Sequence, residues 1–227
     1  MRKTQLYRGL FYFLGLLILA FGITLNTKTG LGVSPIISVA YCISTIRNLN
    51  FGNVTLLLYI SFVLVELILH ARRKDRMILL KDILQIPLSL IFTRFLNLFS
   101  YIIPDLKSAY PDQFAGSMIG RILFLILAIV LTGIGAAMSL NMRIIPNPGD
   151  GIVQAIADCI HKSTGFTKNC FDLLCITVTI VIGLLCAGHF VGIGLGTVLA
   201  VIGVGRSIAA FNHFCFHPMA RLAGLER

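Results

Sequence analysis

The residues of this sequence best able to do chemistry are strongly polar side chains inside long apolar stretches. Ionisable groups in hydrocarbon are costly, so each one is a candidate for ligand binding or proton transfer. Arg94 and Arg206 could bind a negatively charged group, with Asn97 and Tyr59 as orienting hydrogen-bond partners. We therefore expect these four residues to line a substrate-binding site for an anion.

Two acidic residues, Glu66 and Asp172, could carry a proton that is coupled to such binding. The position of Glu66 near the end of its apolar stretch is equally typical of an interfacial residue. Asp172 could instead form a salt bridge with Arg206. Arg94 has no carboxylate at its expected depth near the bilayer middle, so its structural alternatives are a backbone carbonyl or Tyr59.

Two glycine- and proline-containing turns each precede a short apolar segment. The first turn is Gly30–Pro35 and the second is Asn147–Gly151. A helix that begins after such a turn presents an N-terminus, which attracts anions through its N–H groups and the helix dipole. Gly32, Ser34 and Gly149 are therefore further candidates for substrate binding.

Composition indicates that membrane-spanning helices position these side chains. Of the 227 residues, 57% are hydrophobic and 12% are charged, and the mean hydropathy is +0.91. Soluble domains carry about twice that charged fraction, and disordered chains have few apolar residues. The net charge of +10 fits a lipid bilayer as partner. A nucleic-acid partner is excluded because no basic stretch forms a solvated face.

Six apolar runs are long enough to cross a bilayer, which takes about 20 residues. They are approximately Gly9–Thr27, Val54–Ala71, Lys81–Ile103, Met118–Asn141, Phe166–Ala187 and Val191–Phe214. Two further apolar segments, 35–46 and 149–161, are too short to span. We interpret them as re-entrant half-helices, whose irregular entry turns must be covered by protein or water.

The distribution of Lys and Arg predicts the orientation of the six spans. With both termini in the cytoplasm, the cytoplasmic segments contain 13 of these residues and the outer segments contain 4. The basic segment 70–76 contributes most to this bias. Because positive charge is enriched in cytoplasmic loops, the bias predicts a multi-pass protein of the inner membrane with two cytoplasmic ends.

The two halves of the chain are similar to each other. An offset of 113 residues superposes Gly22 on Gly135 and Pro35 on Pro148. Each half has three spans, an odd number, so the second half must run through the membrane upside down, as in many secondary transporters. One membrane domain therefore consists of a first repeat (1–103), an outer loop (104–117), a second repeat (118–214) and a cytoplasmic tail (215–227).

The motif Gly30-Leu-Gly-Val-Ser-Pro35 after the first span resembles the signature of the YczE/YyaS/YitT family of bacterial integral membrane proteins. The motif Asn147-Pro-Gly-Asp-Gly151 resembles its second-half counterpart. The resemblance covers essentially the whole chain, in length, number of spans and motif position. It implies a bacterial cytoplasmic membrane protein, and it supplies neither a substrate nor accepted functional residues.

The sequence predicts a protein that is not an enzyme and that holds neither a metal nor a cofactor. Its six cysteines form no CxxC pair, and its five histidines lack the spacing of a metal site. No protease or hydrolase motif lies at a plausible depth.

The leading functional hypothesis is a small secondary transporter or exporter of a small, anionic organic solute, working by alternating access around a midplane site. One alternative is a substrate-binding membrane subunit that needs an ATPase partner. Another is an accessory membrane protein that does not transport. The sequence leaves open whether a second copy of the chain is a partner in a homodimer.

Overall fold

Helices dominate the protein. A computed structural model describes residues 2–71 and 76–225; 84% of the chain is helical, and those ranges contain no strand. The α-helices in chain order are α1 (Arg2–Lys28), α2 (Pro35–Arg47), α3 (Phe51–Ala71), α4 (Arg76–Ile102), α5 (Leu106–Ala109), α6 (Met118–Asn141), α7 (Pro148–Ile160), α8 (Thr164–Ala187) and α9 (Leu195–Leu222).

Six of these helices, α1, α3, α4, α6, α8 and α9, are long and apolar enough to cross a membrane. The prediction of an all-α, multi-pass membrane protein is confirmed at that level. Segment 72–75, which holds most of the basic cluster used to orient the spans, lies outside the described residues. The cytoplasmic location of the two termini therefore stays a prediction.

The two short helices, α2 and α7, have the same length and the same kind of ends. Each has 13 residues, or about 20 Å at 1.5 Å per residue, which is too short for a bilayer. Each begins with a proline, Pro35 or Pro148, whose missing N–H costs nothing in the first turn. Each is followed by a residue in the left-handed conformation, Asn48 (φ 51°) or His161 (φ 54°).

Helix bounds recur 113 residues apart along the chain. Helices α1 and α6 end at Lys28 and Asn141, and helices α3 and α8 begin at Phe51 and Thr164. Both bounds of α2 and α7 follow the same spacing. The predicted internal offset is therefore present in the local backbone as well as in residue types.

Two predicted boundaries differ from the structure at the last span. Helix α9 begins at Leu195 rather than Val191, because Gly188 and Gly192 adopt positive φ values of 73° and 77° that a helix does not accommodate. The helix also continues to Leu222. Most of the segment predicted as a tail from residue 215 is therefore helical.

Contacts divide the chain into two compact units, and each takes segments from both halves of the sequence. Unit 1 comprises Met1–Val33, Leu98–Ile144 and Gly194–Arg227. Unit 2 comprises Ser34–Asn97 and Ile145–Ile193. Unit 1 thus contains α1, α6 and α9, whereas unit 2 contains α2, α3, most of α4, α7 and α8.

In unit 1, α1 and α6 pack antiparallel through glycines. A Cβ on Gly22 would stand 2.6 Å from the Thr132 nitrogen, and a Cβ on Gly135 would overlap the Leu19 nitrogen. Only residues without a side chain permit this approach of two backbones. Near one end of the pair, the Arg8 Nε donates to the Met142 carbonyl over 2.8 Å.

In unit 2, each short helix packs against two long ones. Helix α2 contacts α8 and α3, and helix α7 contacts α3 and α8. Their first turns are adjacent, because a Cβ on Gly149 would lie 3.1 Å from the Ile36 Cγ2. The candidate functional site described below lies among these helices.

Candidate functional site

The buried faces of α3 and α4 are polar along much of their length. On α3, Thr55, Tyr59, Glu66 and His70 are all buried, as the helical spacing of these residues predicts. On α4, the buried polar residues are Asp82, Gln85, Ser89 and Thr93. An aliphatic core would not need these groups, so this polar interior is a candidate functional site.

Glu66 and Gln85 form the innermost pair of this polar interior, and they are 1% and 0% exposed. The Gln85 Nε2 donates a hydrogen bond of 2.6 Å to Oε2 of Glu66. Helix α7 covers the pair at Gly151, where a Cβ would lie 2.8 Å from both Glu66 oxygens and 2.9 Å from the Gln85 Oε1. Glycine is thus required where the first turn of α7 meets the carboxyl group.

A second polar pair lies one helical turn away. The His70 Nδ1 is 2.7 Å from the Asp82 Oδ2, and both side chains are buried. His70 follows Glu66 by one turn on α3, and Asp82 precedes Gln85 by one turn on α4. The two pairs therefore form one continuous row, which we call the acid row: Glu66, Gln85, His70 and Asp82.

Asp172 is buried on α8, and its ion-pair partner is Lys168 on the same helix, with an Nζ–Oδ2 distance of 3.2 Å. The salt bridge between Asp172 and Arg206 stays a prediction, since the two residues belong to different units. Lys168 satisfies the carboxylate locally through i,i+4 spacing. Asp150 at the start of α7 interacts electrostatically with both Lys168 and Asp172, and with Tyr59 on α3.

Helices α2 and α8 meet through hydroxyl groups. The Ser38 and Thr179 hydroxyls are 2.6 Å apart and fully buried. The Cys42 thiol donates to the Thr179 carbonyl over 3.8 Å. This contact carries no charge.

Arg94 and Asn97 contact the N-terminal end of α3, and their place at a midplane site stays a prediction. The Arg94 guanidinium is exposed and donates over 2.8 Å to the Asn53 side chain, in the first turn of α3. The Asn97 Oδ1 accepts from the Gly52 nitrogen over 3.1 Å. Arg94 therefore has a neutral polar partner on α3, which the sequence did not identify.

The candidate residues Gly149 and Ser34 lie at the N-terminal ends of the two short helices. In α7 the Gly149 N–H donates to the Asn147 Oδ1 over 3.2 Å, and the next two N–H groups donate to the Asn147 carbonyl. Since Pro148 has no N–H, the first turn of α7 has none left for an anion. Ser34 is the half-buried N-cap residue of α2.

Gly32 belongs to unit 1, where its backbone packs on the start of α9. Its φ of 114° is left-handed, and a Cβ there would lie 2.7 Å from the Gly194 nitrogen. The preceding residue, Leu31, accepts a 2.7 Å hydrogen bond from the Gly196 N–H. Glycine is needed at position 32 for backbone reasons alone.

Arg206 also belongs to unit 1, and its side chain is exposed. It borders a groove of about 350 Å³ between α6 and α9, whose walls are mostly aliphatic and include Ile126, Ile129 and Ile202. Neither Arg206 nor Arg94 takes part in the acid row.

Most of the chain matches one family model. The model is that of a family of unknown function, DUF6198, and it matches residues 6–213. The chain belongs to this family. It is also 24% identical to the uncharacterized protein YyaS of Bacillus subtilis (strain 168), over 89% of this chain and 90% of that protein. The resemblance to YyaS-like membrane proteins is confirmed, and no solved structure matches.

Sequence reasoning missed Gln85 and Asp82 in this DUF6198 member because it followed the wrong face of α4. It selected Arg94 and Asn97 on α4, of which Arg94 is exposed and Asn97 is half-buried. A usable signal existed, since Asp82, Gln85, Ser89 and Thr93 recur every three or four residues. Searching for ionisable groups alone passes over neutral residues such as glutamine.

Proposed function

We propose that this protein is a small secondary transporter of a small organic solute in the bacterial cytoplasmic membrane. The observation that carries the proposal is the buried acid row, which the first turn of α7 covers at Gly151. A charged row that serves only stability is costly in a membrane, whereas transporters use such rows for ions and protons. Both termini are proposed to face the cytoplasm.

An inverted repeat with two re-entrant helices is part of the proposal. It is supported by the antiparallel packing of α1 on α6 through Gly22 and Gly135, which are 113 residues apart. It is also supported by two arginines at the same spacing. Arg8 binds the end of α6 at Met142, and Arg121 lies near the end of α1, 3.6 Å from a Cβ on Gly30.

The contacts of the short helices support the same symmetry. Ser38 on α2 touches Thr179 on α8, whereas Gly151 on α7 touches Glu66 on α3. An offset of 113 residues converts one contact into the other, with the two halves exchanged. This exchange is what an inverted repeat produces, and its two halves could rock about the shared packing of α2 and α7.

The charge of the interior favours a neutral or positively charged solute. An anionic solute was expected from Arg94, Arg206 and the helix N-termini, yet both arginines are exposed and the N–H groups of α7 are occupied. Four of the carboxyl groups of unit 2, those of Glu66, Asp82, Asp150 and Asp172, lie on α3, α4, α7 and α8, and Lys168 interacts electrostatically with the last two. The solute in this proposal is therefore neutral or positively charged rather than anionic.

Flux assays in proteoliposomes test the proposal with a matched pair of tyrosine variants. Tyr59→Phe removes a buried hydroxyl next to Asn147, and Tyr101→Phe removes an exposed one. Purified protein is first screened for solutes that raise its melting temperature. We expect flux of such a solute, reduced by Tyr59→Phe and unchanged by Tyr101→Phe. Binding without flux would instead indicate a subunit that needs an ATPase, and no binding would indicate an accessory protein.

A further inference from the structure

Two buried oxygen atoms of the acid row lack a hydrogen-bond donor. Within the described residues, Oε1 of Glu66 and Oε1 of Gln85 have no partner, although the remaining atoms of both groups are bonded to each other. Buried acceptors in proteins are almost always satisfied, so this pair needs an explanation. Both atoms border the same spot beside the Cα of Gly151.

A single proton on Glu66 would satisfy both atoms. With Oε1 protonated, the Glu66 O–H can donate to the Gln85 Oε1 while the Gln85 Nε2 continues to donate to the Glu66 Oε2. The acid and the amide then form two reciprocal hydrogen bonds in one ring. Without the proton, two acceptors face each other in a dry interior, which is unfavourable.

A bound metal cation fits this spot poorly. The point that is 2.8–2.9 Å from the three oxygens is where a Cβ of Gly151 would be, within bonding distance of its Cα. No ion can occupy it while α7 is in place. Among residues 2–71 and 76–225, no three His, Cys, Asp or Glu side chains are grouped to hold a metal ion.

We propose that Glu66 and Gln85 bind one proton and that this proton is the ion coupled to transport. The coupling rests on the proposed function, whereas the proton binding does not. Gly151 covers the carboxyl group, so the proton is held while α7 packs on α3 and is exchanged when the two helices separate. The His70–Asp82 pair, one turn away, is the next acceptor, and the proton moves without any change in redox state.

The groups around Glu66 from each neighbouring helix are compatible with one exchangeable proton. Helix α3 contributes His70 and helix α4 contributes Asp82. Helix α7 contributes Asp150, which interacts with the Lys168–Asp172 pair of α8. Helix α2 contains no acidic residue, and its arginine is its last residue. Lys168 is thus engaged by other carboxylates, and Glu66 relies on Gln85.

Infrared spectroscopy of the protein in nanodiscs tests the proposal directly. A protonated carboxyl group has a C=O band distinct from that of a carboxylate. We expect a band in wild type that disappears on raising the pH, is absent in Glu66→Gln and shifts in Gln85→Leu. The matched control Thr179→Val, at the position equivalent to Glu66, should leave the band unchanged. A carboxylate at every pH, or a band that survives Glu66→Gln, would overturn the proposal.

The same titration in sodium chloride and in choline chloride tests the alternative of a sodium site. We expect the two titrations to coincide. Displacement of the band by sodium at fixed pH would overturn the proposal and assign the spot to a metal cation. If the band behaves as expected but no solute is transported, the proton site stands and the proposed function fails. If a solute is transported but the band is absent, the proposed function stands and the proton site fails.

Discussion

The two contacts of the short helices differ in chemistry although their backbone positions match. Ser38 on α2 meets Thr179 on α8 through two hydroxyls at 2.6 Å, and each hydroxyl also contacts a carbonyl of its own helix. At the equivalent contact, Gly151 on α7 meets the Glu66 carboxyl, and an amide from α4 completes the pair. One contact is neutral, and the other contains an ionisable group.

This difference indicates where a duplicated framework became specialised. The neutral contact joins α2 to α8 through hydroxyl and carbonyl groups that do not ionise. The acidic contact has a glycine, Gly151, on one helix. It also contains two oxygens, Oε1 of Glu66 and Oε1 of Gln85, that an added proton would satisfy. We therefore infer that the α3–α7 contact changes during function, whereas the α2–α8 contact maintains the fold.

The largest expected effect comes from making the acidic contact resemble the neutral one. Gly151→Ser alone places a side chain against the Glu66 oxygens and should destabilise the protein by about 1–3 kcal/mol. Adding Glu66→Thr removes the obstruction and reproduces the Ser–Thr contact, so it should restore most of the loss. Thermal unfolding of both single variants and the double variant measures this coupling. Additive effects would show that the two contacts are not equivalent.

A smaller effect is expected from removing the amide partner. Gln85→Leu leaves the buried Glu66 without its donor and should cost about 1–2 kcal/mol near neutral pH, and more at alkaline pH, where Glu66 loses its proton. Thr179→Val, the matched change at the neutral contact, should cost about 1 kcal/mol at any pH. Chemical unfolding at two pH values measures both. If the loss of stability depended equally on pH in the two variants, the distinction between an ionisable α3–α7 contact and a neutral α2–α8 contact would be contradicted.

The smallest effect is expected outside both contacts, at Arg94. Its hydrogen bond to Asn53 is exposed, so Arg94→Ala should cost less than about 1 kcal/mol and leave solute binding unchanged. Melting curves with and without a solute identified by screening measure both quantities. If the solute no longer raised the melting temperature of Arg94→Ala, Arg94 would be assigned to the binding site and an anionic solute would be favoured.

Much of the fold was predictable from the sequence because it depends on local signals. The prolines at 35 and 148 mark the first residues of α2 and α7, and the six apolar runs correspond to the six long helices.

The site was less predictable because it depends on which faces meet. Counting residues along α4 did not reveal the contact of Arg94 with Asn53 in the first turn of α3. For Asp172 the sequence suggested Arg206 as an alternative partner, and it did not suggest Lys168, which is four residues away. The role of Gln85 depends on its contact with Glu66 across two helices, which no single helical pattern contains.

The melting temperature of wild type and Glu66→Gln at acidic and alkaline pH tests the central claim most directly. If the folded protein holds one proton on Glu66 that the unfolded chain releases more readily, wild-type stability must fall as the pH rises. The glutamine of Glu66→Gln can form both hydrogen bonds with Gln85, so this variant should melt near the acidic wild-type value. Its melting temperature should change less with pH, because only His70, Asp82 and other shared groups still titrate. A wild type as insensitive to pH as the variant, or a variant destabilised at every pH, would contradict the account.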